Sequence, residues 1–456
     1  MIENKNLKKS DRDNFIHPMT DLEKFERGEL PQKIMHSGYG SYIKDIENNE
    51  YLDAFAGLYC VNIGYGRTEV ADAISKQAHK LSYYHSYLGH STEASIELSE
   101  MVLDRSPKNM SKIFFGLTGS DANELNVKLV WYYNNIIGKT KKKKIISRMR
   151  GYHGAGILSG SLTGLKNYHV NFDLPIDRVL HTEQAFYYHR TNLDQTEEQY
   201  SKYCSDQLEK LILSQEPDTI AAFIAEPIMG NGGIVPPPNK YWEEISVILK
   251  RYDIMLIADE VVTGFGRLGS MFGSDHYNIV PDFITIAKGL TSAYAPLSGS
   301  IISNKVWDVI KKGTDQYASL NHGSTYSGHP ISCAAGVANL KLLDKLDLIN
   351  NASKTGKYLN ERLLGALSSH EKIGDVRGAG MLAAVEIVKE KKERKFYSKP
   401  GLIAADIIKA MKNYGVLARA MPEGDIIGFA PPLCASKKEI DKIVDVTKKA
   451  IIEVIS

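Results

Sequence analysis

Three short apolar runs, each leading into a polar residue at its C-terminal end, constrain this chain more than any other feature. Ile220-Ala221-Ala222-Phe223-Ile224-Ala225 reaches Glu226, Met255-Leu256-Ile257-Ala258 reaches Asp259, and Phe283-Ile284-Thr285-Ile286 reaches Lys288. Strands this apolar are covered on both faces. Helical stretches such as 242–251 lie between them, and that alternation predicts βα repeats around a mostly parallel sheet. Ligands in such sheets sit beyond the carboxyl ends of the strands, where Glu226, Asp259 and Lys288 fall.

The chain has 456 residues, enough for two or three domains or one large α/β unit with an appendage. Its 56 Lys plus Arg against 54 Asp plus Glu supply no strong field for a polyanion, which disfavours nucleic acid as a partner. The four cysteines, at 60, 204, 333 and 434, form neither a CxxC pair nor a disulfide framework, so a reducing compartment is expected. No apolar region follows the charged N-terminus, and no run of 18 apolar residues occurs, so a cytoplasmic, unanchored protein without membrane contact is expected. No metal site is expected.

Residues 1–35 are polar and turn-rich, with Thr20-Asp21 ahead of Leu22 offering a cap to a short helix. Residues 40–45 and 51–55 read as strands around the turn 47–50, and 68–105 shows helical spacing at Val70, Ile74, Ala78, Leu98 and Val102. A strand at Ile113-Phe114-Phe115 leads through Gly119-Ser120 into a helix ending near Ile137; 144–147 is a strand and 152–156 a loop. The tail, with helices near 332–346 and 401–413 and strands near 382–387 and 426–429, reads as a separate α+β domain. The basic run 139–144 reads as a solvated connection.

Lysine in a partly desolvated site forms a Schiff base with an aldehyde, and Lys288 stands where this sheet places ligands; taken alone it reads more readily as a surface lysine. Asp259 ends the neighbouring strand. A carboxylate there keeps a pyridine nitrogen protonated, or caps a helix, or makes a salt bridge. Gly119-Ser120, between strand and helix, offers N–H groups and a hydroxyl to a phosphate, or is an ordinary N-cap. Tyr152 offers a face for stacking, or packs in the core, and His153 by itself reads as structural. Glu226 reads as a loop carboxylate or a binder of a cation. A P-loop is excluded, since Gly138-Lys139-Thr140 has Tyr133 where the first glycine belongs, and Gly378-Ala379-Gly380 does not open a dinucleotide fingerprint.

An ordered set of motifs carries a resemblance. The segments are Ala56-Gly57-Leu58-Tyr59-Cys60-Val61-Asn62-Ile63-Gly64-Tyr65-Gly66, Gly151-Tyr152-His153-Gly154, Ala225-Glu226-Pro227, Asp259-Glu260-Val261-Val262-Thr263-Gly264-Phe265-Gly266-Arg267, Ala287-Lys288-Gly289 and 322–330. Over nearly its whole length the chain resembles a class III, fold type I pyridoxal-phosphate aminotransferase of the ω-amine:pyruvate branch. The resemblance implies an α/β fold: a large cofactor domain (76–330) with a mostly parallel sheet, and a small α+β domain built from both chain ends (1–75 and 331–456). It implies pyridoxal 5'-phosphate as cofactor, with Lys288 making the covalent link and Asp259 pairing with the pyridine nitrogen. Tyr152 and Val261 would sandwich the ring, Gly119 and Ser120 hold the phosphate, and Thr325 reach the phosphate of a neighbouring subunit. The assembly implied is a homodimer with shared active sites, or a tetramer of two such dimers.

Arg419 matches the mobile arginine of the branch, which binds the carboxylate of pyruvate or an amino acid, and Glu226 would help position it. Tyr59, Leu88 and Asn231 match substrate-pocket positions where many members carry Trp, Phe and a small apolar residue, so a more polar pocket and a small or polar primary amine are expected. The activity implied is transfer of an amino group from a primary amine or ω-amino acid to pyruvate, giving L-alanine and an aldehyde or ketone. A decarboxylase or aminomutase of the same fold, and an inactive binding or scaffold protein, are the alternatives.

Overall fold

The three apolar runs lie side by side. In the computed structural model, which describes residues 4–313 and 319–455, they belong to one seven-stranded sheet. Its order is Met110–Gly116, Ser298–Ser303, Phe283–Ile286, Met255–Asp259, Ile220–Ala225, Lys144–Arg148, Val179–Thr182. The last five are mutually parallel. All of Ile220–Ala225, Met255–Asp259 and Phe283–Ile286 are buried, as expected of strands with helices on both faces. Register aligns their carboxyl ends, with Ala225 opposite Ala258 and Asp259 opposite Thr285.

Ser298–Ser303 is the exception, antiparallel to both neighbours. The connection before it holds only the 3₁₀ turn Lys288–Leu290, too little for a helical crossover, so the chain turns back on itself.

The two chain ends meet in smaller sheets. Met35–Tyr39, Tyr42–Asp45 and Glu50–Asp53 form an antiparallel set, and Val416–Leu417 joins it parallel, with Val416 opposite Leu52. Ile373–Ala379, Leu382–Ile387, Ile426–Phe429 and Arg419–Ala420 form the other four-stranded sheet. The chain passes from one sheet to the other at Ala418, which delivers Arg419 to their junction.

One expectation holds, in two pieces, and another needs correction. Residues 68–105 are two helices, Thr68–Lys80 and Glu93–Arg105, separated by a connection that holds the short turn Tyr87–Gly89. A domain boundary at 75/76 therefore cuts a continuous helix; Thr68–Lys80 packs against Pro330–Lys345, and the division belongs outside it. No helix among the described residues is long and apolar enough to cross a membrane.

Candidate active site

The helix Gly119–Ile136 starts beside the carboxyl ends of the central strands. Thr118 and Asp121 form a capping box: Thr118 N–H donates to Asp121 Oδ1 at 2.7 Å, and Asp121 N–H to Thr118 Oγ1 at 3.2 Å. Asp121 Oδ2 also takes Leu117 N–H, so the N–H groups of Gly119 and Ser120 are left without a partner among the described residues. They open on a cavity of about 820 Å³ that Lys288, Asp259, Tyr152, Val261, Asn231 and Arg419 also line. Glycine is required at 119, because a Cβ there would stand 2.8 Å from Val261 Cγ2.

Asp259 is 3% exposed, and its carboxylate is fixed from two sides. Asn123 Nδ2 and His153 Nδ1 each lie 2.8 Å from Oδ2, and Val261 N–H donates to Oδ1 at 3.1 Å. With the proton assigned to Nδ1, His153 donates to the carboxylate and leaves a buried Nε2 without a partner. Asn123 is held in turn: Thr285 Oγ1 donates to its Oδ1 at 2.6 Å, and Asn126 Nδ2 donates to Thr285 Oγ1 at 2.8 Å. Asn123 and His153 are the residues that the motif reading missed as parts of this site. The signal was there: two asparagines at i, i+3 in a helix are poor helix formers that need a reason to be inside.

Lys288 has φ +41°, a conformation bulky residues avoid and one that recurs at functional positions. Its Nζ lies 5.3 Å from the centre of the Tyr59 ring and makes no hydrogen bond or ion pair among the described residues. Burial lowers its pKa below the ordinary lysine value, against the pull of Cys60, Asp259 and Glu226. Glycine follows it because a Cβ at Gly289 would stand 2.4 Å from Asn62 Nδ2. An unpaired lysine tending towards the neutral amine is a nucleophile for an aldehyde.

Tyr152 lines the cavity edge-on to Tyr168, with ring centres 5.3 Å apart, and burial pushes its hydroxyl up to about 12. Glu226 is buried, and burial raises its pKa. Its oxygens accept Tyr152 N–H at 3.0 Å and Gly230 N–H at 2.7 Å. The expectation that Glu226 helps position Arg419 is corrected: no hydrogen bond or ion pair joins the two among the described residues, and the carboxylate accepts from the backbone. Arg419 Nη1 donates instead to Asn231 Oδ1 at 2.9 Å.

Tyr59 stands behind the cavity wall rather than on it, 1% exposed, with its ring 4.4 Å from that of Phe55; Leu58 and Cys60 form the wall there. Leu88, 90% exposed, and Thr325, also exposed, do not reach the cavity in this chain. They share one surface patch, where Tyr83 Oη donates to Thr325 O at 2.6 Å and Ser86 Oγ to Ser327 O at 3.0 Å. From the N-terminal segment, Pro18 and Met19 reach the cavity, which its polar composition did not suggest.

Pyridoxal phosphate needs a lysine amine, an anion cradle, a carboxylate for its ring nitrogen and flat or apolar walls. Unpaired Lys288, the free N–H groups at Gly119 and Ser120, the braced Asp259, and Tyr152 with Val261 supply these around one cavity, so the residues fit the group. Among the described residues no group of His, Cys, Asp and Glu could hold a metal ion.

The family model "Aminotransferase class-III" matches residues 26–451. A diaminobutyrate–2-oxoglutarate transaminase of Halomonas elongata is 52% identical over 99% of this chain and 97% of its own length. A mitochondrial gamma aminobutyrate transaminase of Solanum lycopersicum is 41% identical over 92% of this chain and 81% of its own length. Among solved structures, an omega transaminase from Pseudomonas jessenii in complex with PMP superposes with a TM-score of 0.96 at 37% identity, covering 98% of each chain. With the lysine, the carboxylate and the anion cradle arranged around one cavity and the match running almost end to end, the chain belongs to the class-III aminotransferases, enzymes that depend on pyridoxal phosphate.

Proposed function

We propose that the protein is an ω-transaminase that takes the amino group of a primary amine or ω-amino acid and passes it to pyruvate, forming L-alanine and an aldehyde or ketone. The observation that carries this reading is Arg419: a guanidinium on the cavity wall with Lys288, paired with no carboxylate among the described residues. Five fixed N–H donors without a counter-charge suit a substrate carboxylate. Arg419 is the only arginine, and Lys288 the only lysine, lining the cavity among the described residues, which supports an acceptor with one carboxylate over one with two. A terminal amine with a remote carboxylate, the type for which the diaminobutyrate and gamma aminobutyrate relatives are named, suits the same pair on the donor side.

Pyridoxal phosphate, when bound, supplies an aldehyde that carries the amino group and a ring that takes up the electron pair of the substrate C–H bond. Lys288, its pKa lowered by burial, takes the proton from the amine-bearing carbon of the donor and returns one to the acceptor carbon. Asp259, held by Asn123 and His153, keeps a negative charge at the ring-nitrogen side. Gly119 and Ser120, with Tyr152 and Val261, line the cavity; the first pair would hold the phosphate and the second would take the two ring faces, with Tyr152 narrowing the entry for water.

The working unit we infer is a homodimer, in which the patch bearing Leu88 and Thr325 reaches the neighbouring subunit's cavity. Its aromatic cover supports this: Tyr83 lies 5.8 Å from Tyr326, and both Leu88 and Tyr326 are exposed. The four cysteines are free, which supports work in the cytoplasm.

The test is turnover of the holoenzyme with 2,4-diaminobutyrate, γ-aminobutyrate, β-alanine, taurine, putrescine and 1-phenylethylamine, each against pyruvate and 2-oxoglutarate. L-Alanine formed from the ω-amino acids is the expected result, and Lys288→Ala abolishes it while keeping the fold. Glutamate formed from 2-oxoglutarate at higher kcat/KM moves the acceptor; no amino product from any pair removes the reading.

A further inference from the structure

Among the described residues, the side chains that hydrogen-bond to Arg419 or offer it a ring face are uncharged. Nη1 donates to Asn231 Oδ1 at 2.9 Å, and Cζ lies 5.6 Å from the centre of the Phe55 ring. Glu226 carries the nearby negative charge in the sequence, but both its oxygens are taken by backbone N–H groups.

Asn231 itself sits on a braced loop. Met229 and Val235 bridge its ends, Arg150 Nε donates to Gly232 O at 2.9 Å, and Arg377 Nη2 donates to Gly233 O at 2.8 Å. The amide oxygen is thus a fixed point against which a long, flexible side chain can settle. A carboxylate at position 231 would also hold the arginine, but it would neutralise the guanidinium and compete with a substrate carboxylate for the same N–H groups. An apolar residue there would leave the side chain free to turn away. A neutral acceptor orients the charge without cancelling it.

We propose that Asn231 is a positioning residue that holds Arg419 turned into the cavity and keeps its charge for the substrate carboxylate, biasing the enzyme towards carboxylate-bearing donors and acceptors. The inference rests on the carboxylate role of Arg419 proposed above, and the test separates the two.

Propionate has a carboxylate and no keto group to react, so its Kd for the holoenzyme, measured by calorimetry, reads carboxylate binding without turnover. Asn231→Ala weakens propionate binding and raises the KM for pyruvate by about tenfold, the loss of one hydrogen bond to a charged group, while kcat falls less. Asn231→Asp keeps an acceptor in place yet weakens propionate more than the alanine variant does, because the new carboxylate occupies the guanidinium. The KM for 1-phenylethylamine, which carries no carboxylate, rises less than that for pyruvate in either variant. A merely structural role for Asn231 predicts instead that the aspartate variant, the closer in shape, resembles wild type. Propionate bound by Asn231→Ala as tightly as by wild type, or more tightly by Asn231→Asp than by Asn231→Ala, overturns the proposal. Arg419→Leu is the control: if it binds propionate like wild type, the carboxylate role of Arg419 fails; if it loses propionate while Asn231→Ala does not, only the role of Asn231 fails.

Discussion

Asp259 shows how much of this site depends on atoms that no motif names. Both donors to Oδ2, Asn123 and His153, come from elements distant in sequence, and Asn123 is itself held by Thr285. Replacing the carboxylate by an amide leaves the shape nearly intact but changes the charge and the hydrogen-bond sense. In Asp259→Asn one amide NH₂ must face either the Asn123 and His153 donors or Val261 N–H, so a donor meets a donor in a buried place. We expect a stability loss of about 1–3 kcal/mol from the unsatisfied group. The lost negative charge lowers kcat by on the order of 100-fold, the scale of removing one preorganised electrostatic contact. Thermal unfolding and single-substrate kinetics check the two effects separately; a variant with wild-type kcat removes the role given to Asp259. Removing His153 as His153→Phe is expected to act in the same direction and less strongly, since Asn123 still braces the carboxylate, and kinetics on that variant rank the two donors.

At the scale of elements, the strands that were legible are those whose residues advertise their burial. Ile220–Ala225, Met255–Asp259 and Phe283–Ile286 are apolar throughout because helices cover both faces. Ser298–Ser303 is as deeply buried yet reads as Ser-Gly-Ser-Ile-Ile-Ser, and it was not legible. Its polarity is matched by the helix Gly119–Ile136: Ser298 Oγ donates to Asp121 Oδ1 at 3.1 Å, and Ser300 Oγ to Asn126 Oδ1. Partners of that kind are long-range and invisible to a reading of local pattern. The charged helix Asn4–Asn14 escaped for the opposite reason, since Leu7 is the one apolar residue in its sequence. The residues that line the cavity around Lys288 and Asp259 were legible because strand ends and a helix start fix them locally, whereas Asn231 bonding to Arg419 depends on two loops brought together by the whole fold.

The strand Leu382–Ile387 carries a buried charge with a measurable consequence. Glu386, 1% exposed, accepts from Arg377 Nη1 at 2.7 Å and lies 2.5 Å from His189 Nε2. Burial acts to raise its pKa, but Arg377 and His189 outweigh burial and hold the carboxyl down at about 2, against 4.5 for the free group. A depressed carboxyl stabilises the fold fully above its unfolded value and loses that contribution as pH falls from about 4.5 towards 2, on the order of 3 kcal/mol in all. Urea unfolding should therefore show wild type losing stability steeply over that window, with Glu386→Gln less stable at about pH 7 and flatter below about pH 4.5. Parallel pH profiles for the two proteins would contradict the assignment.

The whole molecule brings its two ends together at one cavity. Pro18 and Met19 from one end and Arg419 from the other line a cavity whose floor is the central sheet, and Glu50–Asp53 pairs directly with Val416–Leu417. The patch carrying Leu88 and Thr325 faces outward, so the proposed dimer makes a sharp demand: each working site takes Lys288 from one subunit and Thr325 from the other. Lys288→Ala and Thr325→Asp proteins are each expected to be nearly inactive, the first for want of the amine and the second because a carboxylate repels the phosphate. Unfolded and refolded together, they form mixed dimers in which one site has both residues intact. With random pairing, half the dimers are mixed and one of two sites works in each, so activity should return to about a quarter of wild type. Full separation of the roles follows from the outcome. Recovery of activity places Thr325 across the subunit boundary; a mixture that stays inactive, while size-exclusion chromatography still shows dimers exchanging, places every group the reaction needs within one chain and leaves the exposed patch without its proposed part.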